Sequence, residues 1–270
     1  MKKITILILL LQVTIHSFSQ NIEKQKIEVV KEGKMLYKSE MASWYGTDLF
    51  MEKYKDKENI GGYFSYTEGS VSKCIFYSKA EKPKVIGTIS FNQDYDIKTA
   101  KTELEERSFS KNELDLYVIR TKAFNAITTD TIFKHYKNAN LNLIPIITGK
   151  EKKVYILTGP TNNGVVLYGN DYLLTFSNDN QLKSTKKLHT NLIPVQYGDD
   201  KDRVAIASMH THLPETGDLI TATDICTTML YQKFTGWENV YVMSQKYVSI
   251  WDCKKDELVV MTKEAFEKMK

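Results

Sequence analysis

Apolar and polar residues alternate in short runs over most of this chain, and the runs are separated by turn residues. The alternation predicts strands over 63–67, 73–77 and 84–91, joined through Glu68-Gly69-Ser70 and residues 80–83, which reads as a three-stranded meander. Ser110 followed by Glu113 is a capping-box pattern. It opens a predicted helix to about Ile127, whose apolar stripe is Leu116, Ala123 and Ile127 with Tyr117 and Phe124. Strands follow over 141–147, 154–158, 164–168 and 172–176, with Gly169-Asn170-Asp171 as a turn. Pro145 and Pro194 predict that their strands lie at an edge or end there. Asn142–Ile146 echoes Asn191–Val195, which is too little to make a repeat.

Two stretches frame this pattern. Residues 20–58 read as irregular and charged, with Trp44, Tyr45, Leu49 and Phe50 as an aromatic cluster on a helix or turn against the core; the alternative is an exposed partner surface. From Arg203 the alternation resumes. A strand over 203–212 leads into a loop over 213–220 and then a helix over 222–234, stopped before Gly236. A hairpin over 240–253, a short strand over 258–261 and a final helix capped by Thr262, containing Phe266 and Met269, complete the chain. The fold class expected is α+β: a mixed β-sheet with flanking helices over 109–270, preceded by a small α+β region with a meander over 20–108.

Composition changes the picture in three ways. The chain has 270 residues, is 42% hydrophobic and 26% charged, and carries sixteen Tyr and eleven Phe, which fits a strand-rich globular core. Residues 1–19 read as a secretory signal: Lys2 and Lys3, an apolar run from Ile4 to Val13, then Ser17-Phe18-Ser19 before Gln20. The run is short for a membrane span, so the expected product is an exported, periplasmic or secreted protein without a transmembrane segment. The net charge of +4, less Lys2 and Lys3, leaves +2 and no basic stripe, which excludes nucleic acid as a partner. The three cysteines, Cys74, Cys226 and Cys253, allow one disulfide in an oxidising compartment, with Cys226 and Cys253 the favoured pair. A buried apolar thiol is favoured over a nucleophile at Cys226, because no base stands beside it in sequence.

The candidate chemistry lies around His210 and His212. Residues two apart on a strand share a face, so both imidazoles project the same way. Asp224 falls in the first turn of the next helix, and the three side chains form a nitrogen and oxygen cup of the kind zinc takes, with a fourth position left for water in catalytic sites. Two plainer readings stand beside this one. Thr221 with Asp224 also fits a helix cap, and paired histidines on a strand can be hydrogen-bonded structural groups.

His210-Thr211-His212 followed by Thr221-Ala222-Thr223-Asp224 resembles the His-x-His and Ser-x-x-Asp signature of the JAB/MPN (JAMM) metalloprotease superfamily. The loop is one residue longer than usual, Thr221 replaces the Ser, and Leu213 takes the usual Pro place. The element order from Ser110 onward resembles that fold as well, while residues 20–108 lie outside the resemblance. The resemblance implies zinc on His210, His212 and Asp224, Thr221 at the oxyanion, and a peptide or isopeptide substrate. It also implies a Glu on an upstream core strand as proton shuttle. No Glu occurs over 154–209, which leaves Glu151, in a charged run, as the candidate. Glu215 lies close in sequence without a rule that aims it at the site, and Asp171 reads as a turn residue. His189 beside Lys186 and Lys187 reads as a surface residue, with a further ligand or shuttle as the alternative, and His135 as solvated or structural. The function expected is an exported zinc-dependent hydrolase; the alternative is a non-catalytic exported binding or envelope protein on the same scaffold.

Overall fold

The structure is a computed structural model that describes residues 2–198 and 205–269, with side chains from Gln20 onward. One helix, α1 (Lys2–Lys53), runs through most of the stretch expected to be irregular, as far as Lys53 of residues 20–58. The reason it escaped the pattern is visible in its buried face. Gly33, Leu36, Ser39, Ala42, Gly46 and Phe50 recur every three or four residues and are buried, but most are too small to register as an apolar stripe. Small size is what the packing needs. A Cβ on Gly33 would lie 2.7 Å from the Ile225 side chain, so the bare backbone of α1 packs directly against that side chain.

Beyond α1 the chain forms a four-stranded antiparallel sheet, β1 (Ile60–Glu68), β2 (Val71–Ser78), β3 (Val85–Phe91) and β4 (Lys101–Glu103), in that order. The expected meander supplies its first three strands; β4 is three polar residues with no alternation to reveal it. Helix α2 (Lys111–Thr129) carries both halves of the Ser110–Glu113 capping box. Its buried face is Leu116, Ile119, Ala123 and Ile127, whereas Phe124, expected on the stripe, is exposed.

Strands β5 (Ala139–Thr148), β6 (Glu151–Pro160), β8 (Tyr172–Phe176) and β9 (Leu182–Lys187) form a second antiparallel sheet in the order β5-β6-β8-β9. Between β6 and β8 the chain leaves that sheet as β7 (Val165–Gly169), which pairs with β10 (Leu192–Gln196). The two strands expected at an edge, β5 with Pro145 and β10 with Pro194, each have a single partner, whereas Pro160 sits at the last position of β6, beyond the stretch that pairs with β8. The last sheet is mixed: β11 (Ala207–Thr211) runs parallel to β12 (Asn239–Met243), and β13 (Tyr247–Asp252) and β14 (Glu257–Thr262) follow antiparallel. Parallel neighbours need a crossover. Helix α3 (Ala222–Thr235) provides it and ends at Gly236 with φ 71°. A five-residue helix, α4 (Lys263–Glu267), closes the chain.

The protein is therefore α+β, with a mixed sheet and flanking helices. One hydrophobic cluster joins Leu36 and Phe50 of α1, Phe76 and Ile89 of the first sheet, Ile144 and Leu157 of the second, and Cys226 and Leu230 of α3, so it spans the sequence boundary at 108. All three cysteines are buried and free. The favoured Cys226–Cys253 pair is not formed, because the two thiols belong to different clusters on either side of α3. Among the described residues, no helix is long and apolar enough to cross a membrane.

Candidate metal centre

Strand β11 alternates in burial as its sequence does. Ser208 and His210 face inward, and Ala207, Met209 and Thr211 face out. Arg203 and Val204, the expected start of this strand, lie outside the described residues. The Met243 carbonyl accepts the His212 backbone N–H at 2.8 Å, which carries the pairing one residue further and turns His212 inward beside His210. The imidazole of His212 then donates from Nδ1 to the Leu219 carbonyl at 3.0 Å. A carbonyl only accepts, so this contact puts the ring proton on Nδ1 and aims the bare Nε2 at Asp224.

Asp224 has two jobs, one per oxygen. Its Oδ2 takes the Thr221 backbone N–H at 2.9 Å and the Thr221 hydroxyl at 2.7 Å, while the Thr221 Oγ1 accepts the Asp224 N–H at 3.1 Å. The capping box is therefore complete, and helix start and candidate ligand are the same residue. Its Oδ1 is buried, accepts no hydrogen bond among the described residues, and lies 3.4 Å from the Nε2 of both His189 and His210. Neither ring nitrogen of His210 makes a hydrogen bond among the described residues; the ring rests on Tyr168, centroid to centroid 4.8 Å.

His189 is the residue the sequence misplaced. It is buried, 5% exposed, in the link between β9 and β10, despite the lysines before it. Its Nε2 lies 3.2 Å from His212 Nε2, and its Nδ1 faces Asp171 Oδ2 at 3.4 Å. Asp171 does sit in the expected turn, but it is buried there. The sequence signals for His189 were faint, a lone Leu188 before it and the apolar stretch Leu192 to Val195 three residues on, and nothing in Gly169-Asn170-Asp171 marks a buried carboxylate.

His189, His212 and Asp224 bring their donor atoms within 4.8 Å of one another, and this buried group could hold a metal ion. His210 stands outside that mutual set and joins it through Asp224 Oδ1 alone. Burial works to neutralise Asp224, yet the three imidazoles overcome it and hold the carboxyl well below its usual range. Burial likewise opposes a charged His189, but Asp224 and Asp171 outweigh it and lift the group to about 10. Burial raises Asp171, against His189 and the Thr158 N–H.

The remaining expected residues are not gathered here. Glu151 opens β6, its side chain 68% exposed and paired with Lys153. The opposite end of that strand reaches the site, where the Thr158 N–H donates to Asp171 Oδ1 at 3.0 Å. Seven residues of strand separate the two ends, roughly 23 Å at 3.3 Å per residue. The Thr221 hydroxyl proton is spent inside the helix cap, which takes it away from an oxyanion. Glu215 is exposed at the rim, where its Oε1 accepts from Thr190 at 3.3 Å. His135 is outside the centre, its Nε2 3.4 Å from the Ile127 carbonyl. Comparison of the chain with protein-family models, with curated proteins and with solved structures finds no match in any of the three.

Proposed function

We propose that this chain is a zinc-binding protein in which His189, His212 and Asp224 take the ion with His210 beside them, and that the centre cross-links the fold and turns over no substrate. The observation that carries the reading is the Nε2 of His212. It points a lone pair at a carboxylate oxygen 3.1 Å away and at a second imidazole nitrogen 3.2 Å away. Acceptors do not converge in a dry interior without a cation or a proton between them, and a metal ion is the occupant proposed here. The spacing suits zinc: Zn–N bonds of about 2.0–2.1 Å in a tetrahedron separate the donors by about 3.3–3.4 Å. An all-imidazole and carboxylate set with no thiolate is within zinc's ordinary range.

Two observations favour a closed centre over a catalytic one. A catalytic zinc keeps a position open beside three protein ligands, whereas four side chains stand around the centre here, because His210 also lies 3.4 Å from Asp224 Oδ1. The donor side chains are also at most 5% exposed, which leaves a substrate no approach. The signal-like residues 1–19 support export on this reading, as a binding or envelope protein.

A second reading is favoured by one feature, the placement of His210 and His212 at a strand exit and Asp224 at the start of the following crossover helix. That placement suits the JAB/MPN-like signature, and on it the chain is an exported hydrolase of peptide or isopeptide bonds. Bound zinc would supply carbonyl polarisation and a water whose pKa falls to about 7. The chain's own part would be to orient the carbonyl and move a proton, and neither Glu151 nor Thr221 is placed to do so.

Metal analysis of the purified protein by plasma mass spectrometry, with peptide and isopeptide hydrolysis assays on the same sample, tests both. About one zinc per chain without turnover supports the closed centre. Metal-dependent turnover replaces it with the hydrolase, and absence of metal after zinc reconstitution removes both.

A further inference from the structure

The carboxylate behind His189 is built as carefully as the ligands. Asp171 lies in a tight turn between β7 and β8, where an aspartate is ordinarily solvated, yet it is 2% exposed. Its Oδ1 is fixed by the Thr158 N–H at 3.0 Å, so only Oδ2 is free, and Oδ2 is the atom that faces His189 Nδ1. The turn itself is locked. Asn170 Nδ2 donates to the Lys134 carbonyl at 3.0 Å and to Thr158 Oγ1 at 3.1 Å, and the Tyr172 hydroxyl donates to Asn170 Oδ1 at 2.8 Å.

The segment carrying His189 is clamped to that turn by its backbone. The Leu188 N–H donates to the Asp171 carbonyl at 2.8 Å, and the Asn170 N–H to the Asn191 carbonyl at 3.0 Å. Gly169, at φ 83°, permits the approach: a Cβ there would lie 2.2 Å from the Asn191 oxygen and 3.3 Å from the His189 Cβ. The backbone position from which the imidazole projects is thus set before any ligand arrives.

Resting on the zinc reading above, we propose that Asp171 is the positioning residue of the centre. It accepts the Nδ1–H of His189 and so presents the Nε2 lone pair to the metal as a protein donor. An imidazole carries one proton when neutral, and the group that receives it decides which nitrogen can ligate. Histidine ligands are commonly held this way by a carboxylate or carbonyl, and losing that partner typically costs about 10–100-fold in metal affinity.

The Asp171→Asn variant tests the tautomer directly. Its Oδ1 keeps the Thr158 N–H, which turns an NH₂ donor toward His189 Nδ1, moves the ring proton to Nε2 and removes His189 from the ligand set. The full chain is loaded with cobalt(II) and read by its visible d–d bands, and zinc affinity is measured by chelator competition. Expected are a wild-type spectrum of a site filled by protein donors, a shared altered spectrum in Asp171→Asn and His189→Ala, a loss of about 10–100-fold in zinc affinity for Asp171→Asn, and no further loss when the two are combined. A wild-type spectrum and affinity in Asp171→Asn, or a loss that persists undiminished in the His189→Ala background, overturns the role of Asp171 and leaves the zinc reading standing. Absence of any metal in the wild type removes the zinc reading and this inference with it. Nitrogen-15 histidine spectra of the zinc-loaded wild type decide the matter even if the variant does not fold. They should show His189 protonated at Nδ1 and metal-bound at Nε2, and the reverse assignment overturns the proposal.

Discussion

The Nε2 atoms of His189 and His212 lie 3.2 Å apart although 23 positions separate them in the chain. Because the proton of His212 is on Nδ1, the two nitrogens can share this space only with a cation or a proton between them. His212→Ala and Asp224→Ala are therefore expected to abolish stoichiometric zinc. Chelation of the wild type should lower stability by about 4 kcal/mol if zinc is held near a thousandfold above its Kd. For a chain of this size that is a fall in Tm of roughly 7 °C, read by calorimetry with and without chelator. An unchanged Tm would mean that the centre contributes nothing to the fold.

Thr221 caps α3 and holds Asp224 Oδ2 in the same contacts. Thr221→Ala should cost about 1 kcal/mol in denaturant unfolding and also weaken zinc binding, since Asp224 becomes free to turn; Thr221→Ser should restore most of both. Equal stability for the two variants would sever the cap from the site.

Gly169→Ala places a methyl group against the Asn191 oxygen at a φ that disfavours side chains. A cost above about 1 kcal/mol is expected by urea titration, together with weaker metal binding because the His189 segment is pushed away. Wild-type stability would show that the turn has room to relax.

Glu40 supplies a pH dependence away from the metal. Burial between α1 and β5 lifts its carboxyl to about 7, against a hydrogen bond from Asn142 at 3.1 Å and the charge of Arg120. The folded state therefore keeps a proton that the unfolded chain releases near 4.5. The sign is that this group's contribution is most favourable below that value and declines as pH rises to about 7. Glu40→Gln should stabilise the protein by about 1–2 kcal/mol at pH 8, less than full linkage because the side chain is partly exposed, and by almost nothing at pH 4.5. Equal gains at both pH values would assign the effect to something other than ionisation.

Glu151→Gln is expected to leave zinc affinity within about twofold of wild type, since its carboxylate is a strand's length from the centre. A larger change by chelator competition would require β6 to be placed differently.

Part of this protein was written locally and could be read so. The period of two placed His210 and His212 on one face, the capping patterns fixed the starts of α2 and α3, and turn residues marked most of the strands, because each depends on neighbours a few positions apart. Helix α1 was hidden for a physical reason: its contact face is built from Gly33, Ser39, Ala42 and Gly46, and close backbone packing removes the large apolar residues that announce a stripe. Tertiary structure alone decided the membership of the centre. His189 looks like a surface residue until the pairing of β7 with β10 and the clamp at Asp171 carry it inward, and Glu151 looks usable until β6 is seen to present its other end. A side chain's neighbours in space are set by strand pairing across tens of residues, and periodicity carries no information about that.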